Sequence, residues 1–205
     1  MSCHKRVSSH VLQRPVLIVI TGYQGSGKTT LSRTLAERFH LPCFNKDDFK
    51  ERLADVLGCE DSDESKRLSH ATYTILNYVT EELMRAGTLF VVESNFSAKF
   101  DSERFGRLVE QYRYYPFQIL CKTEPKILME RVTRRIQARE RHFAHKEQGE
   151  IDSGRFRTGI GEGRIDPLEI GGEVFELDTT DFTSIDYEAL YAHIDKVLAL
   201  RTRSI

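Results

Sequence analysis

The chain has 205 residues, 40% hydrophobic and 30% charged, a balance that excludes a disordered chain and fits one globular domain with a sizeable core. Thirty basic side chains against thirty-one acidic ones leave a formal charge of -1, which excludes a global field for nucleic acid or an anionic membrane. The cysteines at 3, 43, 59 and 121 have no metal-clip spacing, and the longest early apolar run, Val16 to Ile20, is too short for a signal core or a membrane span. The expectation is a cytoplasmic protein with reduced thiols.

Residues 1–14 are polar and basic and read as a flexible tail ahead of a single domain over 15–205. Val16 to Thr21 is an unbroken β-branched and apolar run, as suits a strand buried on both faces. Leu31, Leu35 and Phe39 then repeat at helical spacing, and Leu41 to Phe44 suits a second strand. Leu68, Ile75, Val79 and Leu83 predict one face of a long helix that stops at Gly87. Thr88 to Val92 follows as strand three, Phe105, Leu108, Val109 and Tyr112 as a helix face, and Phe117 to Cys121 as strand four. Thr123 is placed to cap the next helix, with Pro125 in its first turn and Leu128, Val132 and Ile136 as its buried stripe. Residues 143–171 are glycine-rich, charged and aperiodic, which predicts a mobile loop. Glu173 to Leu177 and the helix carrying Leu190, Ile194 and Val197 close the chain. Alternating strands and helices predict an α/β fold with a mostly parallel five-stranded sheet.

Gly22-Tyr23-Gln24-Gly25-Ser26-Gly27-Lys28-Thr29 matches G-x-x-x-x-G-K-[ST] in full, between a strand and a helix. Glycines let the loop wrap its N–H groups around phosphate oxygens, and the free N–H groups of the helix start, reaching Thr30, add to the cradle. Lys28 is expected on the β- and γ-phosphates, and the Thr29 hydroxyl on Mg²⁺. The architecture expected is therefore a three-layer P-loop NTPase.

GTP-binding switches are the first rival class. Asn45-Lys46-Asp47-Asp48 fits N-K-x-D and Asp55-Val56-Leu57-Gly58 fits D-x-x-G, but both stand in the wrong place and order, so they are set aside as chance. Asp47, at the end of strand two, faces the ligand crevice of an open α/β sheet and could take the proton of an attacking hydroxyl, or hold a water on Mg²⁺; Asp47 or Asp48 could instead cap a helix. Glu93 ends strand three toward the same crevice and could bind substrate hydroxyls, support the metal or be a solvated strand end; no Asp closes that strand as a Walker B residue would, so the metal role falls to Glu93 or Asp47. From Lys122 to Lys146 there are eight Lys and Arg against three Glu, and Arg131, Arg135 and Arg139 stand four apart. Such a stripe repels itself unless an anion sits against it, so Arg131 and Arg135 are expected to clamp the transferring phosphoryl group. His142 and His145 lack a third ligand at metal spacing, and a zinc site is rejected.

Several of these pieces together resemble the zeta-toxin-like and chloramphenicol-phosphotransferase-like ATPases. Asp47-Asp48-Phe49-Lys50 is similar to that group's D-x-[FI]-[RK] element, whose leading Asp is the proposed base. Glu93-Ser94-Asn95-Phe96 is similar to its acid-led substrate turn. Arg131, Arg135 and Arg141-His142-Phe143-Ala144-His145 resemble its lid, although Phe143 and Ala144 stand for Pro and Gly. Glu176-Leu177-Asp178-Thr179-Thr180 is similar to the segment near the adenine. The resemblance implies ATP and Mg²⁺ as cofactors and a small-molecule hydroxyl as acceptor. It implies substrate contacts at Asp47, Lys50, Glu93, Asn95 and Arg141, a nucleotide contact at Thr179, and a lid over about 131–171. An ATPase module without an acceptor would carry the same motifs. A 5′-polynucleotide kinase, using Tyr112, Tyr114 and Tyr115 for stacking, is disfavoured by the near-neutral charge.

Overall fold

A computed structural model describes residues 14–146, 160–161 and 163–202. The expected tail and the middle of the expected lid lie outside them. Strands β1 (Val16–Gly22), β2 (Cys43–Asn45), β3 (Phe90–Glu93), β4 (Tyr115–Lys122) and β5 (Glu173–Asp178) form one sheet in the order β2-β3-β1-β4-β5. Every pairing in it is parallel. The helices are α1 (Lys28–Phe39), α2 (Lys46–Leu57), α3 (Ser62–Arg85), α4 (Ala98–Tyr112), α5 (Pro125–Gln137) and α6 (Tyr187–Thr202).

The alternation along β1 sorts the core into two layers. Val16, Ile18 and Ile20 meet α1 and α6 on one face, through Leu31, Leu35, Leu190 and Ile194. Leu17 and Val19 meet α3 and α4 on the other, through Leu76, Met84 and Phe105. Both sets are fully buried because β1 is central and covered on both sides. Phe96 and Phe105, each wholly buried, meet edge to face at 5.1 Å between ring centroids.

Two local expectations are corrected. The buried stripe of α3 runs through Leu68, Thr72, Leu76, Thr80 and Met84, one position on from the Ile75, Val79 and Leu83 face that hydrophobicity suggests. Thr72 is tolerated inside because its hydroxyl donates to Leu68 O at 2.6 Å, so the helix satisfies its own buried polar atom. Glu124, rather than Thr123, holds the cap position of α5, and Pro125 opens the first turn as expected. Thr123 is occupied elsewhere: its hydroxyl shares a 2.6 Å hydrogen bond with Thr179, which ties β4 to the exit of β5.

The described parts of the aperiodic loop are packed. Leu168 and Ile170 are buried against the α3–α4 layer, and the Gln118 amide bonds both the N–H and the carbonyl of Leu168. The loop returns to β5 through Gly172, where an added Cβ would stand 2.0 Å from Pro116 O. Periodicity misses this segment because specific hydrogen bonds hold it, not a repeating apolar face.

Candidate functional site

At the carboxyl end of β1 the chain turns through Gly22 to Gly27 into α1. A Cβ on Gly22 would stand 2.6 Å from Ser26 Oγ and 2.9 Å from Cys121 Cβ, so only glycine lets the loop fold back on the sheet. Gly27 takes the helix-cap position with φ of 82°, a left-handed conformation that glycine adopts without strain. Ser26 is fully buried, Tyr23, Gln24 and Gly25 are half-buried, and Thr30 is exposed in the first turn of α1.

Lys28 and Thr29 converge on Glu93. The Thr29 hydroxyl donates to Glu93 Oε2 at 2.9 Å, and Lys28 Nζ lies 3.7 Å from Glu93 Oε1. Glu93 is paired in register with Ile20 of β1 and Asn45 of β2, and is 3% exposed. Burial pushes its carboxyl above the ordinary range, against the pull of Lys28. Thr29 Oγ1 and Glu93 Oε2 are hard oxygens, held side by side next to the phosphate loop, and that donor set suits Mg²⁺.

Asp47 lies in the first turn of α2. Asn45 caps that helix by accepting from Asp48 N–H at 2.8 Å, so neither Asp is needed as the cap. Arg141 Nη2 donates to Asp47 Oδ2 at 2.6 Å. Burial alone would raise the Asp47 carboxyl, but Arg141, His145, Lys46 and Lys28 together hold it well below the ordinary carboxylate range. Lys28 is thus near enough to act on Asp47 as well as Glu93.

The segment around Arg141 forms a clasp across α2, whose Asp47, Glu51 and Asp55 stand four apart. Arg141 Nη1 lies 3.7 Å from Glu51, His145 bonds Glu51 at 3.0 Å, and His142 bonds Asp55 at 3.0 Å. Because arginine only donates, His145 Nδ1 accepts from Arg141 at 3.3 Å and its Nε2–H donates to Glu51. Between the two histidines, Ala144 is fully buried and its carbonyl accepts from Ser65 Oγ at 2.7 Å. Burial lowers His145 to about 3 from its usual 6.5. Between those values the unfolded chain binds a proton that the folded protein refuses, so stability falls as acid is added. Thermal melts from pH 7 to pH 4 should show His145→Gln with a flatter acid loss than the native chain; equal slopes would refute this role.

Three expected site residues have partners within the chain. Arg131 donates to Thr179 O at 2.8 Å, Thr180 O at 2.7 Å and Gly25 O at 3.3 Å, and lies 3.8 Å over the Phe182 ring. Its charge ties the phosphate loop to the β5 exit, because those carbonyls take its donors. Arg135, one turn further along α5, is half-buried. Thr179 is 1% exposed, and its hydroxyl bonds Thr123 and Lys122 O. Lys50 is 5% exposed, with its ammonium on Ser65 Oγ at 2.8 Å in the α2–α3 seam, and burial lowers its pKa.

Asn95 is exposed beside the crevice, and its Oδ1 accepts from the Tyr73 hydroxyl at 3.2 Å. Tyr73, Glu51 and the clasp role of both histidines escape the linear reading. The acidic i, i+4, i+8 series of α2, set against Arg141, His142 and His145, is the signal that could have found the clasp.

The sheet order, the phosphate loop and the Lys28–Thr29–Glu93 cluster together define a P-loop NTPase fold. The AAA domain family matches residues 17–156, and the chain belongs to that family. A "putative kinase" from Chloroflexus aurantiacus J-10-fl is 34% identical, with 93% of this chain and 100% of that one covered at a TM-score of 0.81. Two further structures share the fold. A gluconokinase from Sinorhizobium meliloti 1021 has 18% identity, 93% and 99% coverage and a TM-score of 0.53. The Mycobacterium tuberculosis APS kinase CysC, in complex with AMPPNP and APS, has 17% identity, 89% and 97% coverage and a TM-score of 0.56. No curated protein matches the sequence. Among the described residues no helix is long and apolar enough to cross a membrane.

Proposed function

We propose that this protein is an ATP- and Mg²⁺-dependent phosphotransferase that moves the γ-phosphate to a hydroxyl of a small molecule. The observation that carries the reading is the convergence of Lys28, Thr29 and buried Glu93 at the phosphate loop, with Asp47 close enough to feel the Lys28 charge. The kinase name of the Chloroflexus relative supports it, and so do the kinase names of the two fold relatives. The motif resemblance to zeta-toxin-like and chloramphenicol-phosphotransferase-like ATPases belongs to this same reading.

On this reading the loop amides from Gly22 to Thr29 and the Lys28 ammonium hold the polyphosphate. Thr29 and Glu93 would hold Mg²⁺, which would supply positive charge to offset that of the phosphates. The acceptor oxygen forms a bond to the γ-phosphorus as the bond to the β–γ bridging oxygen breaks, and ADP leaves. The hydroxyl proton passes to Asp47. A carboxylate so firmly ionised is a weak base, so its larger contribution is to aim the hydroxyl, which suffices for a loose transition state. The acceptor must displace Arg141 from Asp47 to reach it. Residues 131–171 act as the lid of a single domain, and the medium is the cytoplasm.

Incubation with γ-³²P-labelled ATP and a panel of hydroxyl compounds tests the reading, and a labelled acceptor is the expected result. Asp47→Asn should keep ATP affinity and lose about 10²- to 10⁴-fold in transfer. Label released only as inorganic phosphate with every compound, or full transfer by Asp47→Asn, would count against it.

A further inference from the structure

Beyond the phosphate loop and the Arg141 clasp, a second polar cluster gathers where β3 ends. The Tyr73 hydroxyl of α3 is shared with Ser94 Oγ and Asn95 Oδ1, each at 3.2 Å. Lys46 Nζ stands 5.1 Å from the centroid of the Tyr73 ring and 3.7 Å from Asp47, an acid already bonded to Arg141. Arg104 of α4 approaches from the other side, close enough that it and Tyr73 perturb each other's ionisation. Its Nη2 donates to Asp101 Oδ1 at 3.3 Å, while the other Asp101 oxygen accepts the Ser97 N–H at 2.9 Å.

Another Arg104 nitrogen, Nη1, is the informative atom. It is buried and has no hydrogen-bond partner among the described residues, although guanidinium donors left unmade inside a protein are costly. Asn77 Oδ1, one turn of α3 beyond Tyr73, is likewise buried and unpartnered. A donor and an acceptor therefore stand unused on the two helices that flank this end of the crevice. On this wall Lys46 and Arg141 share one acid, Asp47, while Arg104 pairs with Asp101.

We propose that Lys46, Tyr73, Asn95 and Arg104 form the acceptor site, and that it selects a hydroxyl compound carrying an oxyanion, either carboxylate or phosphate. Arg104 and Lys46 meet the anion, and Tyr73 and Asn95 meet the hydroxyls between it and Asp47. The planar Arg104 fork suits an oxyanion better than a neutral polyol does, since paired N–H groups match paired oxygens. This assignment rests on the phosphotransferase reading for its chemistry, but not for its binding.

The test compares D-glycerate, D-gluconate and 3-phospho-D-glycerate with the neutral glycerol and D-glucose, as acceptors with ATP and Mg²⁺ and as ligands by calorimetry. The expected result is a preference of at least about tenfold in kcat/KM for anionic over neutral compounds. That ratio should collapse in Arg104→Gln and be partly kept in Arg104→Lys. A merely structural role would lower both classes alike and leave the ratio standing, which would overturn the proposal. Neutral compounds transferred as well as anions, or no anion bound at all, would overturn it too. Transfer without preference would refute this site and spare the kinase reading. Anions bound through Arg104 but never phosphorylated would do the reverse. The carboxylated and phosphorylated arms separate the two kinds of anion.

Discussion

Lys28→Ala is expected to remove measurable ATP association and to cut turnover by about 10²- to 10³-fold, the cost of losing one preorganised charge at a transferring group. Two losses coincide in this variant. The phosphates lose the ammonium that the loop presents to them, and Glu93 loses the strongest opposite charge acting on it. The first loss weakens binding directly. The second leaves a buried carboxylate with only the Thr29 hydroxyl at 2.9 Å, so it takes up a proton more readily and gives up its capacity for metal. Lys28→Arg should not restore function, because a planar fork does not fit the space a compact ammonium fills. Calorimetry with ATP and Mg²⁺, run beside turnover, checks both losses. A variant that binds ATP as the native chain does would overturn the phosphate-loop assignment.

The fold was legible where a single strong pattern acted alone. Val16 to Thr21 reads as a central strand because every residue is apolar or β-branched, and both faces of β1 are indeed covered. The phosphate loop reads directly because each glycine answers a steric need, as at Gly22 beneath Ser26 and Cys121. Glu93 could be placed at the strand end, but not its depth of burial or its bond to Thr29, since these depend on residues sixty-four positions apart. The failures have physical causes. Buried Thr72 and Thr80 mislead a hydrophobicity count, because a helix can satisfy a threonine hydroxyl internally. The partners of Arg131 are equally out of reach of a charge count, because they are backbone carbonyls of distant residues. The structure gives the asparagine of the N-K-x-D letters, Asn45, a use that the letters do not announce, in starting α2. The clasp is a tertiary fact, set by acids and cations about ninety residues apart, such as Asp47 and Arg141 at a separation of ninety-four.

Glu93→Gln should separate function from stability. The substitution keeps the shape and a hydrogen-bonding oxygen for Thr29, but removes the carboxylate charge on which the proposed metal binding depends. Transfer is therefore expected to fall about 10²- to 10³-fold. Stability should move the other way. The folded protein raises the Glu93 carboxyl above its usual 4.5, so as pH climbs past that value the unfolded chain releases a proton that the folded one retains. Native stability from this group is thus lost with rising pH, until the folded carboxyl also ionises. A neutral glutamine escapes that penalty, and Lys28, 14% exposed at its side chain, can turn its charge to water. Melts at pH 5 and pH 8 should show the variant gaining on the native chain at the higher pH, while transfer stays low at both. A variant less stable by the same margin at both pH values would mean that the carboxylate is held for the fold, and not against it for catalysis. The expected opposition follows from a single circumstance: the group best placed to support the metal is buried more deeply than its own solvation allows at no cost.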